Sequence, residues 1–103
     1  MKRRDLLKVI LALIPVGKVT TYSSLASVLG VSPRAVGFLL SKNDELVKYP
    51  CHRVVKSDGS LGGYALGKEF KRRLLELEGV KFCSPEKVCK ESVVDLRETL
   101  GLR

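Results

Sequence analysis

Ser23-Ser24-Leu25-Ala26-Ser27-Val28-Leu29-Gly30-Val31-Ser32-Pro33-Arg34-Ala35-Val36-Gly37-Phe38-Leu39-Leu40-Ser41 is the stretch that decides the fold of this 103-residue chain. Leu25, Val28 and Leu29 follow helical spacing behind Ser23 or Ser24, either of which suits an N-cap, and Gly30 suits the C-cap. Ser32-Pro33 restarts the pattern, and Ala35, Val36, Phe38, Leu39 and Leu40 carry a second helix to about Ser41. Two short helices joined by Gly30-Val31-Ser32 read as a helix-turn-helix, whose second helix enters a DNA groove by its N-terminal end. Arg34 occupies that end. Ala35-Val36-Gly37-Phe38 offers few donors or acceptors, so backbone or minor-groove contact is expected in place of base reading.

Upstream, Leu6, Leu7, Ile10, Leu11 and Ile14 predict an amphipathic helix over residues 3 to 14, stopped by Pro15 and Gly17. Val19-Thr20-Thr21-Tyr22 has strand composition. Downstream, Asn43-Asp44 signals a turn, Val54-Val55 a short strand, Ser57-Asp58-Gly59-Ser60 a hairpin turn and Gly62-Gly63-Tyr64 a flexible loop. Phe70, Leu74, Leu75 and Leu77 predict a helix from Lys68 to Glu78, closed by Gly79, with Lys71, Arg72 and Arg73 on a basic face open to phosphate or water. Ser84-Pro85 starts a last helix of about four turns through Val88, Val93, Val94, Leu96 and Leu100. The expected fold is mainly α: a winged-helix-like helix-turn-helix domain with a short β-hairpin or wing and an added C-terminal helix. One domain spans 1–103, with a core over about 5–80 and a C-terminal extension over about 84–100.

Hydrophobic residues make up 45% of the chain and charged residues 29%, a balance that argues against wholesale disorder. The formal net charge of +8 favours a polyanionic partner, nucleic acid first. The apolar run Val9 to Val16 is too short to span a bilayer, so a cytoplasmic protein without a membrane partner is expected. Cys51, Cys83 and Cys89 contain no close metal-ligand pair, and His52 is the single histidine, so no metal is expected. A reducing compartment predicts free thiols at Cys83 and Cys89, although their spacing of six leaves a mutual disulfide open.

Pro50-Cys51-His52-Arg53-Val54 carries the chemistry. A thiol becomes a strong nucleophile as thiolate, and imidazole or cationic neighbours favour that form. Cys51-His52-Arg53 therefore reads as an activated nucleophile, against the plainer reading of Cys51 as a small packing residue. Adjacency alone does not bring the two side chains together, because neighbours on a strand point to opposite faces.

Pro50-Cys51-His52-Arg53-Val54, with Thr21-Tyr22-Ser23, Arg34-Ala35-Val36-Gly37, Asn43, Gly63-Tyr64 and Leu74-Leu75-x-x-Glu78-Gly79 in that order, resembles the C-terminal DNA-binding domain of the O6-alkylguanine-DNA alkyltransferase (methylated-DNA–protein-cysteine methyltransferase) family. The resemblance spans most of residues 5 to 80. It implies that Cys51 accepts the alkyl group, that His52 deprotonates it through a water, and that Glu78 holds the imidazole, a Cys-His-acid relay. Glu69 and Glu76 lie on the same helix, and position next to Gly79 is what favours Glu78. By the same resemblance Asn43 braces the active-site turn, Tyr22 contacts the flipped base, the backbone around Val54 lines the pocket, and Arg34 fills the gap left in the base stack. Ser23, Arg53, Tyr64 and Ala65 fall on the substrate and DNA side.

This sequence departs from the family pattern in Ala65-Leu66, where relatives have serine and glycine, and in Asp44 in place of proline. Leu66 is expected to narrow or reshape the pocket. No N-terminal domain is expected before the DNA-binding unit, and the tail beyond Lys81 is expected to cover apolar surface. The implied function is direct-reversal DNA repair: irreversible, single-turnover transfer from O6-alkylguanine, with O4-alkylthymine as a second substrate to consider. It requires no cofactor, and the partner is double-stranded DNA bound by a monomer. The alternative is a non-catalytic alkyltransferase-like sensor that binds the lesion and recruits another pathway. That class characteristically replaces the acceptor cysteine, which this chain keeps. A basic helix-turn-helix regulator would leave Tyr22, Asn43 and Glu78 unexplained.

Overall fold

The computed structural model describes residues 3–42, 49–99 and 101, so Asn43 and the Asn43-Asp44 turn lie outside the described residues. Leucine and isoleucine at three- and four-residue steps build α1 (Arg3–Ala12), whose stripe of Leu7, Ile10 and Leu11 is buried. The helix stops short of the expected residue 14. Leu13 and Ile14 instead bond back to the carbonyls of Ile10 and Leu11, a tightened last turn ahead of Pro15.

Strand β1 (Thr20–Thr21) leads into α2 (Tyr22–Leu29). The N-cap is Thr21, whose hydroxyl accepts from the Ser24 amide at 3.0 Å, and neither Ser23 nor Ser24 takes that role. Both serine hydroxyls are engaged elsewhere: Ser23 with Ser57 at 2.8 Å, and Ser24 as acceptor from the Leu96 amide. Gly30 closes α2 in the left-handed region as expected. Ser32 caps α3 (Pro33–Ser41) by accepting from the Ala35 amide at 3.1 Å, with Pro33 in its first turn. The helices meet at 96°, the geometry of a helix-turn-helix pair. Leu25, Ala26 and Leu29 of α2 and Val36 of α3 pack with α1 in one core cluster.

A 3-10 turn (Cys51–Arg53) precedes β2 (Val54–Val55), which pairs in parallel with β1 in the register Thr20 to Val54 and Thr21 to Val55. This pairing fixes the segment carrying Cys51 beside the start of α2. The turn at 57–60 forms, closed by the Lys56 amide on the Ser60 carbonyl. Its outgoing arm, however, pairs with the tail and not with β2, so the expected wing hairpin is corrected. Leu61 donates to Glu86, Val88 donates to Gly59, and Ser60 bridges Lys87. Gly59 is required there, because a Cβ would meet the Val88 carbonyl oxygen at 2.8 Å and its φ is +89°.

Helix α4 (Lys68–Leu77) ends at Glu78 as expected. The expected helix over 84–100 does not form. Instead β3 (Phe82–Ser84) and β4 (Lys87–Val88) make an antiparallel hairpin, a 3-10 turn follows at Lys90–Ser92, and among the described residues of this segment only Leu96–Thr99 is α-helical, as α5. Pro85 sits in the hairpin turn, where its missing amide costs nothing, and Val88, Val93 and Val94 suit extended backbone. Cys83 and Cys89 form a disulfide across this unit with Cα atoms 4.9 Å apart, which overturns the expectation of free thiols. Val88 joins a second core cluster with Val19, Val55, Leu61, Leu75 and Val80. The tail does cover apolar surface there and on α2 through fully buried Leu96, yet Val9, Leu13 and Val16 stay exposed. The described chain is thus mainly helical with two small two-stranded sheets, and no single described helix is long and apolar enough to cross a membrane.

Candidate active site

Cys51 begins the 3-10 turn and is 9% exposed, and His52 beside it is fully buried. In this 3-10 turn successive side chains are about 120° apart, in place of the opposite faces of a strand. His52 Nε2 lies 3.0 Å from Glu78 Oε2, across 26 residues of sequence. Among the three glutamates of this segment, Glu78 is the one that reaches the imidazole. Glu69 and Glu76 pair with Arg73 and Arg72 along the outer face of α4.

Arg53, expected on the substrate side, is turned inward and is a correction. Its Nε and Nη2 donate to both carboxylate oxygens of Glu78 at 2.9 and 2.7 Å, and its Nη1 donates to the Ile14 carbonyl at 2.9 Å. The fork of the guanidinium fits the carboxylate in bidentate fashion, which explains the placement. Burial by itself raises the pKa of Glu78, but hydrogen bonds from Arg53 and His52 hold it below the usual carboxylate range. Burial pushes His52 below its ordinary value, with Glu78 opposing. The neutral imidazole therefore donates Nε2–H to Glu78, leaving the Nδ1 lone pair as proton acceptor. Nδ1 is buried and has no hydrogen-bond partner among the described residues.

Lys71 is the site residue that sequence reasoning missed. It is completely buried, and its Nζ donates to the carbonyls of Val54 at 2.6 Å and Gly63 at 3.2 Å. Burial lowers its pKa to about 8, against the attraction of the Cys51 thiolate. The signal was present in the spacing: Lys71, Leu74, Leu75 and Glu78 follow i, i+3, i+4, i+7, so a site-facing Glu78 draws Lys71 to the same face. Phe70 and Leu77, part of the apolar pattern that predicts this helix, are exposed.

A cavity of about 260 Å³ opens on Cys51 and is lined also by Tyr22, Gly37, Leu40, Tyr64 and Ala65. Tyr64 meets the His52 ring edge-on with centroids 6.2 Å apart. Burial first, and the Cys51 thiolate second, raise the pKa of both Tyr22 and Tyr64, so each phenol stays protonated at neutral pH. Ala65 lines the cavity. Leu66, expected to narrow the pocket, is 53% exposed and does not line the cavity. Val54 is buried with its carbonyl given to Lys71, and it too does not line the cavity. Tyr22 and Gly37 also wall a neighbouring cleft of about 380 Å³ that holds Ser23, Arg34, Lys56 and Ser57. The structure thus brings His52 and Glu78 together behind a cavity that Cys51 lines, with Tyr22, Ser23 and Arg34 lining the neighbouring cleft.

The sequence model of the family described as 6-O-methylguanine DNA methyltransferase, DNA binding domain, matches residues 3–80. A methylated-DNA–protein-cysteine methyltransferase of Saccharolobus islandicus is 60% identical over 68 residues, which cover 66% of this chain and 44% of that protein. The chain therefore spans less than half the length of that relative. The structure of Mycobacterium tuberculosis OGT in complex with DNA is similar at a TM-score of 0.72 and 36% identity, over 77% of this chain and 50% of that one. The structure of S. pombe ATL in complex with DNA is similar at 0.72 and 25% identity, over 88% and 93% of the two chains. From α1 to the residue after Gly79, helix-turn-helix and cysteine turn included, this chain belongs to the family of the 6-O-methylguanine DNA methyltransferase DNA-binding domain.

Proposed function

We propose that this chain binds duplex DNA as a monomer and transfers the alkyl group of O6-alkylguanine to Cys51 in a single turnover. The observation that carries this reading is the contact of His52 with Glu78 at 3.0 Å, beside a cysteine that opens on a cavity shared with two tyrosines. In this scheme Arg34 enters the base stack from the minor groove as the damaged nucleotide swings out, which offsets part of the unstacking cost. His52 Nδ1 takes the proton of Cys51 through a water. The thiolate attacks the alkyl carbon, so that the S–C bond forms as the C–O6 bond breaks. Tyr22 donates its phenolic proton to a ring nitrogen of the departing guanine, and the proton held by His52 restores the phenol through solvent. Atoms and charges balance without a further reactant. Asn43 is assigned the bracing of the active-site turn by family resemblance.

A second reading, lesion binding without transfer, draws on the similarity to S. pombe ATL, 93% of whose chain is covered. The two part on covalent chemistry. Incubation with duplex carrying a radiolabelled O6-methylguanine should label the protein, and Cys51→Ser should not be labelled. Tight binding of the lesion duplex without label would establish the sensor instead.

A further inference from the structure

The pocket at Cys51 is the first of three neighbouring depressions that share lining residues. It shares Tyr22 and Gly37 with the Arg34 cleft, which in turn shares Ser23 and Ser57 with a larger cleft of about 590 Å³. The tail helps to line that third cleft through Lys90 and Arg97, together with Ser27 of α2. Both cations lie beyond residue 80, where the family match ends.

We infer that the tail extends the DNA-binding surface, with Lys90 and Arg97 contacting phosphates of the duplex that flanks the lesion. This rests on the DNA-binding reading above. The tail is pinned in place: Val19 donates to Ser92, Val94 donates to Val19, and the Thr20 hydroxyl donates to Val94. The Leu96 amide donates to Ser24 Oγ, and Arg97 Nη1 donates to Ser27 Oγ at 3.2 Å. Arg97 is thereby held half-buried against a row of α2 hydroxyls, while Lys90 is exposed one residue after the disulfide-bonded Cys89. Guanidinium, ammonium and serine hydroxyls are the groups that take phosphodiester oxygens. Two carboxylates also line the cleft: Asp95 accepts from the Arg97 amide, and Asp58 accepts from Ser60 and lies 3.9 Å from the Lys87 ammonium, which offsets its charge. Contacts to phosphate position the duplex without reading its sequence, so the effect should be the same on intact and damaged DNA.

The test is the salt dependence of duplex binding by the full chain, compared with Lys90→Ala/Arg97→Ala. Two lost phosphate contacts should reduce the slope of log affinity against log salt by about 1.8, so between about 50 and about 200 mM the wild type loses about twelvefold more affinity than the variant. The same reduction is expected on undamaged duplex. Lys90→Glu, a change at an exposed position, should reduce affinity on its own and guards against an Arg97 substitution that merely loosens the tail. An unchanged slope with both variants, in a protein whose binding still depends on Arg34, would overturn the inference and leave the DNA-binding reading standing. A wild type that does not bind duplex would overturn both.

Discussion

The ammonium of Lys71 ties the strand after Cys51 to the loop before Tyr64, donating to Val54 at 2.6 Å and to Gly63 at 3.2 Å. A positive charge inside the fold, which a thiolate at Cys51 would attract, serves both the shape of the pocket and the charge balance of the nucleophile.

Lys71→Met should therefore move the pH–rate profile of Cys51 alkylation to higher pH, because the thiolate loses a buried cation. A second signature is thermodynamic. The folded pKa of about 8 lies below the ordinary 10.5, so the unfolded state holds more protons between those values. Stability should rise with pH across that window in the wild type and lose that rise in the variant. Denaturant titrations from pH 7 to 10.5 measure it.

Acid should act through His52 and Glu78. His52 is held below 6.5, so the unfolded chain takes up a proton that the folded one resists as pH falls through that value. Glu78 is also depressed, so its contribution is present above the usual carboxylate range and lost as pH falls through its folded pKa. Glu78→Gln should lower stability at pH 7, flatten the loss between pH 6 and 3, and raise the pH at which Cys51 reacts. Thermal melts and pH–rate profiles of the variant check these together.

Reduction of Cys83–Cys89, or Cys83→Ser/Cys89→Ser, should cost up to about 2 kcal/mol, the chain-entropy scale for so short a loop. A fall in melting temperature on adding reductant, absent in the double variant, is the expected result.

Arg34→Ala should weaken binding to lesion duplex and slow transfer from it. Reaction of Cys51 with a free-base O6-alkylguanine should be unchanged, because Arg34 lines the neighbouring cleft and not the cavity at Cys51. Equal losses on both substrates would contradict a role in flipping.

What could be read from the residues alone follows a physical division. The helix-turn-helix was legible because Gly30, Ser32 and Pro33 act locally, through caps and a fixed φ. The tail was not. Val88, Val93, Val94 and Leu96 satisfy a helical period and an extended chain alike, and their partners Val19, Gly59 and Leu61 are distant in sequence. At the site, motif resemblance placed Cys51, His52 and Glu78, whereas Arg53 and Lys71 were read as outward cations. A long basic side chain reveals its burial only through partners, here Glu78, Ile14, Val54 and Gly63.

The central claim is that Cys51 accepts an alkyl group, and intact-protein mass spectrometry after incubation with a duplex containing O6-methylguanine tests it most directly. The predicted result is a gain of one methyl group per molecule, mapped to the peptide containing Cys51 and lost in Cys51→Ser. An unchanged mass in a protein that still binds the lesion duplex would contradict it.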